Sequence, residues 1–156
     1  MSTTSGSVID AVVAALATIN GAGVYANNLS GVGAVIEGDP PDQSDVLTTV
    51  CAFVDTGSIT SEHAPELGRY RREIVVQVYG FVPASADSPT SRKRATLSLL
   101  DDICYAIEAD RSLGSLVIDL IIQGRTFTGS GWGAPSIGVV YAEVVAYWWV
   151  DPQGGV

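Results

Sequence analysis

The segment Arg69–Val82 is the clearest strand in the chain, and it constrains the fold more than any other feature. Ile74, Val76 and Val78 point one way, while Glu73, Gln77 and Tyr79 share the other face with Val75. A strict period of two commits a segment to a half-buried strand, because successive side chains leave opposite faces. The apolar face must then be covered by another layer. A second long β-prone run, Ile137–Val150, is rich in Val, Tyr and Trp. Val46–Val54 and Leu116–Phe127 read as further strands, and Val32–Ile36 as a short one.

Two segments have helical periodicity. Val8, Ile9, Val12, Val13, Leu16 and Ile19 recur at helix spacing, with N-cap hydroxyls in Ser5-Gly6-Ser7 and a stop at Asn20-Gly21. In the second, Ser88-Pro89 suits an N-cap followed by proline at the first helical position, and the helix runs to about Asp110. Leu97, Leu100, Ile103, Cys104 and Ile107 form its expected buried stripe, with Asp101-Asp102 on a solvated face. Ala22–Ser44, Asp55–Gly68 and the Gly129–Gly133 turn around Trp132 read as connectors.

The order of elements is helix, strands, helix, strands. It predicts an α+β fold, with an antiparallel or mixed β-sheet packed against two main helices. The 156 residues fit one domain spanning 1–156, with flexible tails at 1–5 and 151–156.

Only 16% of residues are charged and 47% are hydrophobic, against roughly 25% charged in an average soluble protein. Surface this poor in charge is commonly hidden between subunits. The net charge is −9, from 17 acidic and 8 basic residues. That sign argues against tight DNA or RNA binding, which needs a Lys/Arg excess. Met1–Ser7 lacks Lys and Arg, and Asp10 breaks the apolar run that follows, so no signal peptide is expected. No apolar stretch approaches the ~18 residues of a membrane span. Cys51 and Cys104 each sit in apolar surroundings and are expected as free thiols, as in a reducing cytoplasm.

A search for chemistry finds no catalytic, cofactor-binding or metal-ligating set. His63, the single histidine, lies in the polar connector near Glu62 and Glu66 and is expected to be a solvated loop residue. Gly129-Ser130-Gly131-Trp132-Gly133 lacks the lysine and following helix of a phosphate cradle. The basic residues are more informative. Arg69, Arg71, Arg72, Arg92, Lys93 and Arg94 form two clusters, at the start of the best strand and the first turn of the second helix. Cations at a helix N-terminus oppose its macrodipole at a cost of about 0.3–1 kcal/mol, which points to an acidic partner surface. These six are the candidate protein-interaction residues.

The segment Leu99-Leu100-Asp101-Asp102-Ile103-Cys104-Tyr105-Ala106-Ile107-Glu108-Ala109-Asp110-Arg111-Ser112-Leu113-Gly114-Ser115-Leu116-Val117 resembles a signature of the tail terminator and tail-completion proteins of long-tailed bacteriophages. There a helix ends in an acidic residue, followed by a Leu-Gly turn and a strand. The N-terminal helix, the Val24-Tyr25 pair, the strand Arg72–Tyr79 and the closing aromatic strand Tyr141–Trp149 are similar as well. Ser115 departs from the pattern, since a second glycine often stands there. The resemblance implies a small α+β virion structural protein that forms a hexameric ring, caps the tail tube and makes the head–tail joint. Its implied partners are copies of itself, the tail tube protein and the head–tail connector, with DNA passing through unbound. It would be assembled in the host cytoplasm, with no catalysis and no cofactor. A head–tail connector or stopper subunit of the neck has similar size and surfaces, and a small-molecule-binding α+β domain is the alternative of a different class.

Overall fold

Arg69–Val82 occupies the middle of a five-stranded sheet. A computed structural model describes residues 2–39, 49–83, 89–128 and 137–152. In chain order these form α1 (Ser5–Ala17), β1 (Val35–Glu37), β2 (Cys51–Ala64), a 3-10 turn (Pro65–Leu67), β3 (Arg69–Val82), α2 (Pro89–Glu108), β4 (Asp119–Thr128) and β5 (Gly138–Val150). The spatial order is β1-β2-β3-β5-β4. Among the described residues only the β1–β2 pair is parallel, so the sheet is mixed. The described residues form an α+β fold of two helices and one sheet. Among the described residues no helix is long and apolar enough to cross a membrane.

Both helices pack on the same sheet face. Val8, Val12 and Leu16 of α1, and Leu99, Ile103 and Ile107 of α2, join Ile74, Val76, Val78, Val140, Ala142 and Val144 in one core. Burying side chains of this size stabilises the fold by about 1.5–3 kcal/mol each, before conformational entropy is counted. Helix α2 packs close to the sheet over three glycines. A Cβ on Gly138 would overlap Thr96 Oγ1, and one on Gly124 or Gly80 would press on the flexible side-chain ends of Leu100 or Leu99.

Several expectations are corrected in detail. The cap of α1 is Thr4, one residue before the Ser-Gly-Ser run: its Oγ1 accepts from the Ser7 amide at 3.1 Å, and Ser7 Oγ accepts from the Thr4 amide at 3.0 Å. Thr3 Oγ1 also donates to the Leu116 carbonyl at 2.6 Å. The short strand is Val35–Glu37, and β4 begins at Asp119 because Leu113–Ile118 belong to the turn before it. On α2 the buried arc includes Thr96, Leu99, Asp102 and Ala106, while Leu97 is 41% exposed and Leu100 and Cys104 are half-buried. The arc is rotated because α2 packs against α1 as well as the sheet. The Gly129–Gly133 turn, Ser88 and the last four residues lie outside the described residues.

The largest correction concerns Asp55–Gly68, which is not a connector. Residues 55–64 continue β2 and pair with β3 down to Ala64↔Arg69, forming a long hairpin. Their polarity reflects exposure on both faces beyond the helices. A bulge separates Thr56↔Val76 from Ile59↔Ile74 and reverses which β2 residues face the helices. Gly57 lies in this bulge, where a Cβ would come within 2.8 Å of the Val75 carbonyl oxygen.

Candidate interaction surfaces

The turn that carries the sequence resemblance is built around one carboxylate. Asp110 accepts from Ser112 Oγ at 2.6 Å, the Ser112 amide at 3.0 Å and the Gly114 amide at 2.7 Å. These bonds, led by the Ser112 hydroxyl, hold its carboxyl below the usual range. Leu113, Gly114 and Ser115 then take φ of 47°, 70° and 69°. Ser115 thus adopts the left-handed backbone that glycine takes more easily, and its amide donates to Ser112 Oγ at 3.2 Å. Arg111 next pairs with Asp119 at 2.8 Å, fixing the start of β4.

Asp102 overturns the expectation of a solvated pair. Asp101 is exposed, but Asp102 is only 4% exposed. Its carboxylate accepts from the Ala26 amide at 3.1 Å, and from the Asn27 amide and Asn27 Nδ2 at 2.8 Å each. Tyr25 adds an edge-on contact with Tyr105 at 5.7 Å. The loop after α1 therefore hangs on α2. Adjacent helix positions lie about 100° apart, so one acid can face the loop while its neighbour faces solvent.

The two basic clusters are placed at opposite ends of the sheet. Arg69, Arg71 and Arg72 lie on the hairpin arm; Arg92, Lys93 and Arg94 lie near the start of α2, which follows the far end of β3. At about 3.3 Å per strand residue the separation is roughly 40 Å, so they form two surfaces and not one patch. On the arm, Arg69 reaches Asp151 at 3.7 Å, and Arg71 reaches Glu73 at 3.4 Å while stacking 4.5 Å over the Tyr147 ring. Such half-exposed pairs are worth about 0–1 kcal/mol. Lys93 and Arg94 are exposed.

Sequence reading missed the sheet face turned away from the helices. The β3–β5–β4 register aligns Tyr79, Tyr141 and Arg125 in one row, Gln77, Glu143 and Gln123 in the next, then Val75, Val145 and Ile121. Tyr79 Oη donates to Gln77 Oε1, Gln77 Nε2 donates to Tyr141 Oη, and Tyr141 Oη donates to Glu143 Oε1. Burial, with Glu143 as hydrogen-bond acceptor, pushes the Tyr141 hydroxyl up to about 12. Arg125 lies 5.1 Å over the Tyr141 ring, and Ile121 is 59% exposed. Tyr, Trp and Arg with a scattering of aliphatics is the composition of protein–protein contacts. The alternating odd residues of β3 and β5 hint at this face, but only pairing shows that they form one surface.

His63 is an exposed strand residue, not a loop residue, and lies 4.9 Å from the Tyr70 ring. Among the described residues no three His, Cys, Asp or Glu side chains form a potential metal cluster. His63→Ala is expected to change the unfolding free energy by less than ~0.5 kcal/mol and leave assembly intact. Thermal melts and particle assembly check this, and loss of assembly at unchanged melting temperature would give His63 a functional role. No protein-family model matches the chain, and no curated protein matches it in sequence.

Proposed function

We propose that this chain is a phage tail terminator: a non-enzymatic virion subunit whose copies form a hexameric ring that caps the tail tube and joins it to the head. What supports the reading most is the helix–turn segment 99–117 that leads into β4, where Asp110 closes the Leu113-Gly114 turn through three hydrogen bonds. Its partners are other copies of itself, the tail tube protein and the head–tail connector. The aromatic sheet face, the projecting arm and the basic start of α2 offer separate surfaces for them. The net charge of −9 suits a ring that lets DNA slide, since a lining that does not attract phosphate does not hold it. Light scattering on the purified chain should give the mass of a closed ring, and negative-stain images should show annular particles that bind tail-tube ends. A stable monomer that ignores tube ends would overturn the proposal.

A further inference from the structure

We propose that β4 of one copy pairs antiparallel with the outer arm of β2 in the next, so that one sheet continues from subunit to subunit. This rests on the ring reading, and it names the seam. Among the described residues, β4 is an outer strand along its whole length, and β2 is one beyond Val54, where β1 ends. A long edge without proline is a template for another strand. These two edges lie on opposite sides of one sheet and run in opposite directions, since β2, β3, β5 and β4 alternate. Copies standing the same way up therefore bring them together antiparallel. The contact is heterologous, the kind that closes rings.

Backbone polarity agrees. The Leu120 carbonyl accepts from Arg111 Nη2 at 3.1 Å, so even-numbered β4 residues turn their polar groups away from β5. The Ala52 amide donates to Ala34 and the Val54 carbonyl accepts from Gly38, so even-numbered residues on this part of β2 turn away from β3. Thr56 follows in the same sense. With copies level, as a flat ring requires, Ile122 faces Thr56, and both present outward groups. Leu120 then meets Ile59, a side chain 49% exposed in the single chain. Asp55 falls opposite Gln123, where the seam ends because β1 covers β2 up to Val54. Between residues 51 and 64, β2 carries acids and no Lys or Arg. The β4 side has Arg125, just beyond the end of the seam. No like charges stand directly opposite each other in this register, and Asp119, which falls diagonal to Glu62, is already paired with Arg111.

The pair Asp55–Gln123 would be a non-hydrogen-bonded one, whose short Cα separation of about 4.5 Å suits a disulfide. The experiment mixes Asp55→Cys protein with Gln123→Cys protein under oxidised glutathione and reads non-reducing gels, with wild type controlling for Cys51 and Cys104. A two-chain product in the mixture, absent from either variant alone, is expected; the double variant should give a ladder of longer products. Self-linked dimers of Gln123→Cys alone would mean that β4 pairs with itself, and would overturn the seam. Rings seen by light scattering without mixed product would also overturn it while leaving the ring reading intact. Single-chain mass without mixed product removes both.

Discussion

Asp102→Ala is expected to lower the melting temperature by about 6–12 °C. The side chain is buried and accepts from two backbone amides and the Asn27 side chain. Removing the acceptor leaves those donors to find water or go unpaired, at a cost of roughly 3 kcal/mol. At this chain length 1 kcal/mol corresponds to about 2–4 °C. Asp101→Ala is the matched control, since its exposed neighbour should shift stability by less than ~0.5 kcal/mol. Calorimetry on both variants checks the contrast. Equal shifts would mean that the loop carrying Tyr25 does not hang on Asp102.

The second large effect is on association. Reversing Arg92, Lys93 and Arg94 to Glu should weaken assembly roughly tenfold while leaving the fold intact. Each exposed pair across a rim is worth only about 0–1 kcal/mol, but three reversals place like charges where opposite ones met. Acids at a helix N-terminus are favoured by about 0.3–1 kcal/mol, so the helix itself should not suffer. Arg92 is half-buried and Thr96 Oγ1 donates to its carbonyl at 2.8 Å. The pair Lys93→Glu with Arg94→Glu therefore repeats the test on exposed positions alone. High salt should weaken the wild type in the same direction, because screening shortens the reach of these charges. Sedimentation across ionic strengths measures both. Identical assembly of wild type and variants at every salt concentration would make the cluster plain solvated surface.

The arm shows why polarity misled the reading of Asp55–Gly68. A segment exposed on both faces carries no apolar alternation, so its strand character comes from pairing with β3. The same limit applied to Asp102. Its spacing on α2 is identical in kind to that of Asp101, and only the loop at Ala26 and Asn27 distinguishes them. The six basic residues were visible individually, but whether they formed one patch or two depended on the length of β3 between them.

The sequence by itself determined the two helices, the long strands β3 and β5, and the helix–turn–strand around Asp110. Those features rest on local periodicity and short-range hydrogen bonds, which neighbouring residues specify without distant help. Tertiary structure decided the order β1-β2-β3-β5-β4, the arm, the buried carboxylate of Asp102 and the aromatic face opposite the helices. Each depends on contacts between residues far apart in the chain, such as Gln77 with Tyr141 or Asp102 with Asn27. Register and burial arise from how segments pack together, so no window of sequence contains them.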